Sequence, residues 1–153
     1  MNAKEAPLRF PILFYSWRDS RCDVNDHIWA SCDMGSVKLW RQGVTIIDSA
    51  GARWKVTRID VKGGRGPFWG WKVFQRIVWM DLDIEYEGEA TLSDARALII
   101  KSIDAHSDFW DEVADVDWLK KRLQWAQDIP SLITAYTKAD QDYEKVLAAM
   151  PDE

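Results

Sequence analysis

The chain has 153 residues, of which 47% are hydrophobic and 29% are charged. These proportions are those of an ordinary globular protein and exclude a collagen-like or disordered class. A chain of this length buries roughly 70% of the surface that its unfolded form exposes, so we predict one domain over residues 1–153. Its apolar runs are far shorter than the roughly 20 residues that a bilayer requires, and its start lacks the pattern of a secretory signal. We therefore expect a soluble, cytoplasmic protein without membrane contact.

The net charge of -5 hides an asymmetry between the two halves of the chain. Residues 1–80 hold 13 Lys and Arg against 7 Asp and Glu, which gives +6, whereas residues 81–153 hold 7 against 18, which gives -11. Ten tryptophans are spread over both halves. The chain therefore begins with a basic, Trp-rich half and continues with an acidic one.

Alternating and β-branched residues dominate the first half, residues 1–88, and predict strands. The predicted strands are 12–17, 36–40, 44–48, 53–61 and 72–85. Asp48 and Gly51 suit the two ends of a tight turn, which predicts an antiparallel hairpin between 44–47 and 54–57. Three glycines predict a second reversal over 62–67, because glycine removes the steric barrier to positive φ.

The hydrophobic period becomes helical in the second half, residues 89–153. Thr91 and Asp94 match a capping box before a helix with an apolar stripe from Leu92 to Ile103. Asp115 suits the N-cap of a second helix, Pro130 the first turn of a third, and residues 140–150 form a fourth. Strands followed by helices predict an α+β fold: a twisted antiparallel sheet of about five strands, with three to four C-terminal helices packed on one face.

Two patterns bear on metal binding. Asp19, Cys22, His27 and Cys32 have the spacing of a zinc knuckle, but the first ligand is not Cys and Asp26 replaces the glycine that usually precedes the histidine. We interpret this segment as a polar loop with two ordinary, reduced cysteines. The carboxylates at 81, 83, 85, 87 and 89 share a strand face that could in principle hold a divalent cation, but we interpret them as a solvated strand face. We predict no metal and no cofactor.

No arrangement of residues identifies a catalytic site. The chain has no phosphate-binding loop, no dinucleotide fingerprint and no Gly-x-Ser-x-Gly motif. His106 falls on the apolar stripe of its helix, where a core histidine is expected, and no general base has a defined partner. We therefore predict that the protein is not an enzyme.

Basic residues alternate with tryptophans in the first half, as a platform for single-stranded nucleic acid requires. The residues are Trp17 with Arg18, Lys38 and Arg41 around Trp40, Arg53 and Lys55 around Trp54, and Lys72 beside Trp71. A half-buried sheet gives the same alternation, with Trp54 inward and Lys55 outward. The low isoelectric point further disfavours a nucleic-acid partner.

The acidic half predicts a protein interface instead. Tryptophan is over-represented at binding hot spots, and a rim of carboxylates suits a basic partner. The predicted partner-binding residues are Trp110, Asp111, Glu112, Asp115, Asp117, Trp118 and Trp125.

Residues 92–103, the connector ending Phe109-Trp110, and residues 118–126 and 129–133 resemble small immunity proteins of bacterial polymorphic-toxin and contact-dependent inhibition systems. The resemblance implies a non-enzymatic inhibitor that binds a cognate toxin domain and blocks its active site or a surface that it needs. The alternative, from the strand half, is a single-stranded nucleic-acid-binding module.

Overall fold

A computed structural model describes residues 1–28, 31–33, 43–65 and 77–151. In these ranges an antiparallel sheet precedes a group of helices, which confirms the predicted α+β class. The strands are β1 (Ile12–Ser16), β2 (Arg21–Asn25), β3 (Ser31–Asp33), β4 (Val44–Ile47), β5 (Ala52–Arg65) and β6 (Ile77–Glu89). The helices are α1 (Leu92–Ala105), α2 (Ser107–Val113), α3 (Val116–Trp125), α4 (Ile129–Thr137) and α5 (Ala139–Ala149).

The sheet has the order β2-β1-β4-β5-β6-β3, and the β4–β5 hairpin is the one predicted from the sequence. Asp48 holds the turn, since its buried carboxylate accepts hydrogen bonds from the backbone N–H groups of Ala50 and Ala52, each at 2.9 Å. Gly51 has a φ of +91°, a conformation that side chains of L residues rarely adopt. The carbonyl oxygen of Gly51 also accepts a hydrogen bond from the N–H of Ala90 at 2.7 Å, which connects the turn to the start of the helical half.

The glycine-rich segment differs from the prediction. Residues 62–65 continue β5 and pair with 77–79 of β6, so the chain does not reverse there. The register shifts between Lys62 and Gly64, and glycine tolerates such a bulge because it has no side chain to misplace. The remainder of the predicted turn, residues 66–67, and the predicted strand 36–40 lie outside the described residues.

Each face of the sheet has its own apolar cluster. Leu13, Tyr15 and Ile47 face the helices and pack against the stripes of α1, α3 and α4, whereas Ile12, Phe14 and Ile46 point the other way. The second cluster also contains Trp54, Val56, Met80, Leu82 and Ile84, together with Ala3 from the N-terminal segment. All five residues of β1 are buried because both of its faces are covered.

The helix boundaries largely follow the predicted caps. Thr91 and Asp94 form the capping box of α1, Asp115 caps α3, and Asp128 caps α4 with Pro130 in its first turn. α2 was not predicted as a helix, because none of its seven residues is buried and it therefore carries no apolar period. Among the described helices, none is long and apolar enough to cross a membrane.

β2 corrects a second expectation, that the segment after Cys22 is a polar loop. It pairs with β1 over five residues, from Ile12 opposite Asn25 to Ser16 opposite Arg21. Cys22 and Val24 contribute to the cluster beneath the helices, while polar residues alternate with them. Only two apolar side chains point inward, too few for the strand to be recognised from its sequence.

Candidate functional site

The outer edge of β2 is bound by side chains from two helices. The backbone N–H of Cys22 donates to Oγ of Ser102 in α1 at 3.0 Å, and its carbonyl accepts from the hydroxyl of Tyr136 in α4 at 2.8 Å. Both hydroxyl-bearing residues are buried. These bonds satisfy backbone groups that an edge strand otherwise leaves unpaired, and they fix β2 against the helices.

The local environment of Cys22 disfavours the thiolate form of its side chain. Burial, followed by the charge of Asp23, raises the pKa of this thiol far above its ordinary value. Burial also raises the pKa of the Tyr136 hydroxyl. Since thiolates are the nucleophiles and metal ligands, Cys22 is suited to neither role.

The residues of the zinc-knuckle pattern do not converge. The free thiol of Cys22 is buried beneath the helices, whereas His27 is exposed and pairs with Asp26 at 2.6 Å. The side chain of Cys32 lies outside the described residues. In the described part of the chain, no group of three or more His, Cys, Asp or Glu side chains could hold a metal ion.

His106 joins the helices to the β1–β2 turn. Its Nε2 lies 2.8 Å from the backbone carbonyl oxygen of Asp19, and because a carbonyl only accepts, Nε2 must carry the proton. His106 also ends α1 and precedes α2. The residue is therefore structural and fixes the position of the turn relative to α2.

These contacts frame a cleft of about 340 Å³ between the hairpin and the helices. Its floor contains Cys22, Ser102 and Tyr136. One wall comes from the hairpin and holds Asp19, Arg21 and Asp23. The opposite rim is formed by His106, Phe109 and Trp110.

The polar wall has an unsatisfied acceptor. Oδ1 of Asp19 is shielded from solvent and has no hydrogen-bond donor among the described residues. Arg21 does not fill this role, because its Nε lies 3.3 Å from the carboxylate of Asp23. Buried polar groups are nearly always paired in folded proteins, so an unpaired carboxylate oxygen in a cleft points to a missing donor.

The rim is aromatic. Trp110 stacks at a tilt on Tyr136, with ring centroids 5.2 Å apart, and contacts Phe109 edge-on at 5.3 Å. Trp110 and Tyr136 are anchored in the core, whereas the side chain of Phe109 is 59% exposed. A large apolar ring is thus exposed at the surface and packs against a half-buried ring.

Exposed acidic residues lie on both sides of this ring in the sequence. Residues 107–117, which cover α2 and the start of α3, contain five carboxylates and no Lys or Arg. The five are exposed, and none forms a salt bridge within the described part of the chain. We call the five acidic residues together with Phe109 the acidic face: Asp108, Phe109, Asp111, Glu112, Asp115 and Asp117.

The predicted partner-binding residues fall into three groups. Asp111, Glu112 and Asp117 are exposed, and Asp115 is exposed while its Oδ1 caps α3 by accepting from the N–H of Trp118 at 2.8 Å. Trp110 and Trp118 are half-buried and support the surface rather than project from it.

The third group is Trp125 alone, whose side chain is 75% exposed. It lies at the far end of α3 from Asp115, and ten helical residues span about 15 Å. The structure therefore brings the four acids and Trp110 together but leaves Trp125 apart. Phe109 and the cleft were not predicted, because the cleft is formed by residues far apart in the sequence.

In the described part of the basic half, the alternation of Trp and basic residues can be followed at residues 53–55. Trp54 is buried with 6% exposure, as the alternation predicted, while Lys55 is exposed. Several cations of this half are paired with carboxylates: Lys4 with Asp81, Arg21 with Asp23, and Arg58 with Asp60. Lys38, Trp40, Arg41, Trp71 and Lys72 lie outside the described residues.

Comparison with known proteins found no matching family model, and no significant match to a curated protein or to a solved structure.

Proposed function

We propose that this chain is an immunity-type inhibitor, which binds a cognate bacterial toxin domain through its acidic face and blocks the toxin's action. The observation that carries the proposal is the contrast between paired and unpaired charge. The five carboxylates of the acidic face have no cationic partner in the described residues, whereas Lys4, Arg21 and Arg58 of the basic half are each paired with a carboxylate.

The chemistry of the acidic face suits a basic partner. A toxin that acts on nucleic acid presents a positively charged cleft, and a surface of opposite charge attracts it from a distance. Such attraction chiefly accelerates association, while a buried aromatic anchor slows dissociation. Phe109 has the exposure that an anchor requires, and its support by Trp110 means that little side-chain entropy is lost on binding.

α2 is well placed to present this anchor. It has no buried residue, so its outer surface is free to be covered by another protein. His106 at one end and the cap of α3 at the other hold it in place. A rigid helix that displays one aromatic side chain within a charged rim resembles the centre of a protein interface, which is usually apolar and surrounded by polar groups.

The test is co-expression of the chain with the toxin domain encoded beside it, followed by measurement of the complex. We expect protection of the host cell and a one-to-one complex. Phe109→Ala should weaken this complex by at least about tenfold, because hot-spot truncations cost about 2 kcal/mol or more.

The charge contribution needs a matched control. Asp111→Asn with Glu112→Gln removes two charges from the acidic face, and Glu87→Gln with Glu144→Gln removes two exposed charges elsewhere. We expect only the first pair to slow association markedly and to reduce its salt dependence. Equal effects of the two pairs would show that net charge matters and that the acidic face does not.

A further inference from the structure

We propose that the cleft beside the acidic face is a receptor for one arginine side chain of the basic partner. The guanidinium group would enter between the carboxylate of Asp19 and the aromatic rim of Phe109 and Trp110. This inference rests on the proposed function, because it names the chemical group that the partner contributes to the same surface.

The cleft is large enough to admit a side chain. Pockets for drug-sized molecules occupy roughly 300 to 1,000 Å³, and this cleft of about 340 Å³ lies at the lower end of that range. It also opens beside the acidic face, since Phe109 belongs to both. A partner seated on that face would have side chains within reach of the opening.

The charge balance of the cleft favours a cation. Asp19 and Asp23 supply two carboxylates, and the single Arg21 is paired with Asp23. His106 uses Nε2 to hold the backbone of Asp19, so that nitrogen is not available to an anion. The carboxylate of Asp19 is left without a counter-charge among the described residues.

The unsatisfied oxygen favours a donor with several N–H groups. Oδ1 of Asp19 has no donor among the described residues, and Asp19 lines the cleft. A guanidinium presents five N–H donors in a plane and can bind both oxygens of a carboxylate at once. Lysine presents a compact, strongly hydrated charge and gains less from such a site.

The aromatic rim completes the match. Guanidinium groups stack on aromatic faces and are more weakly hydrated than ammonium groups, so they are readily placed in a partly apolar cleft. Phe109 is exposed and Trp110 is held by Tyr136, so the rim is fixed before a ligand arrives. The same residues that support the acidic face thereby form one side of the receptor.

The experiment uses the full chain and three small probes, and it requires no toxin. N-acetyl-arginine amide, N-acetyl-lysine amide and N-acetyl-citrulline amide are titrated separately into ¹⁵N-labelled protein while the indole N–H signals are recorded. Citrulline has the shape of arginine but no charge. The signal of Trp110 is identified as the one that is lost in Trp110→Phe.

We expect a saturable shift of the Trp110 signal with the arginine probe, a weaker response to the lysine probe and none to the citrulline probe. Asp19→Asn should weaken arginine binding about tenfold, the effect of losing one charge-assisted hydrogen bond. Glu87→Gln removes one exposed charge outside both the cleft and the acidic face and should change the affinity less than about twofold.

Equal responses to the arginine and citrulline probes, or the absence of a saturable shift, would overturn the inference. So would a Glu87→Gln effect as large as that of Asp19→Asn. Both variants are expected to fold, since the contact of Asp19 with His106 uses the backbone and Glu87 is exposed. If the chain protects cells but does not bind the arginine probe, this inference fails and the proposed function stands. If the chain binds the arginine probe but does not protect cells, the proposed function fails and this inference stands.

Discussion

Replacing Tyr136 by Phe removes one hydroxyl group and no other side-chain atom. That hydroxyl donates to the carbonyl of Cys22 at 2.8 Å, and Ser102 accepts from the N–H of the same residue. Tyr136 is 8% exposed and Ser102 is 2% exposed, so water does not readily replace either partner. A buried group left without a partner costs roughly 1 to 3 kcal/mol, and we expect Tyr136→Phe and Ser102→Ala each to destabilise the fold by that amount.

Urea denaturation followed by tryptophan fluorescence measures the effect. With a slope of about 2 kcal/mol per molar urea, a loss of about 2 kcal/mol lowers the midpoint by about 1 M. The double variant should lose less than the sum of the single losses, because both hydroxyls hold the same residue, Cys22. Tyr143→Phe is the control, since the hydroxyl of Tyr143 has no hydrogen-bond partner among the described residues and its ring packs on Trp118.

A change of less than about 0.5 kcal/mol in Tyr136→Phe, similar to an ordinary surface substitution, would refute this reasoning. It would mean that the edge of β2 is held by packing alone. The cleft would then have a less rigid floor than the hydrogen bonds imply.

Three further predictions concern the turn, the thiol and the helix caps. Gly51→Ala should lower the free energy of unfolding by about 1 to 3 kcal/mol, because φ is +91° and a Cβ would lie 3.2 Å from the carbonyl oxygen of Ala90. A lower melting temperature would show this loss. In a Cys32→Ser background, Cys22 should resist thiol reagents until the protein unfolds. Burial raises the pKa of the Cys22 thiol in the folded protein. Its contribution to the free energy of unfolding is therefore fully present below about pH 8.5, where the unfolded thiol is also neutral, and is lost at higher pH. Cys22→Ala should remove this loss. Backbone and side-chain hydrogen bonds from Thr91 lower the pKa of Asp94, and side-chain and backbone hydrogen bonds from Ser131 lower the pKa of Asp128. The two carboxylates therefore stabilise the fold above about pH 4, and this stabilisation is lost in more acidic solution. Asp128→Asn should give a shallower loss of stability on acid titration.

The elements with strong local signals could be predicted from the sequence. The β4–β5 hairpin follows from Asp48 and Gly51, and α1 follows from the capping box at Thr91 together with an apolar stripe. Asp115 and Pro130 likewise begin α3 and α4 close to where their chemistry predicts. In each case a few neighbouring residues determine the backbone conformation.

The elements that depend on distant partners could not be predicted. β2 forms because β1 and two helix hydroxyls satisfy its backbone, and α2 forms without burying any residue. The cleft joins residue 19 to residues 106 and 136, a proximity that no local pattern reveals. The acids of the acidic face were identified from charge alone, but Phe109 was not, because its exposure depends on Trp110 and Tyr136 packing beneath it.

The central claim is that the acidic face captures a toxin domain. The most direct measurement is the dissociation constant between this chain and the toxin domain encoded beside its gene, determined for the unaltered protein and for Phe109→Ala. We predict a tight one-to-one complex that Phe109→Ala weakens by at least about tenfold while the fold is retained. No complex, or a complex of equal affinity with both proteins, would contradict the account.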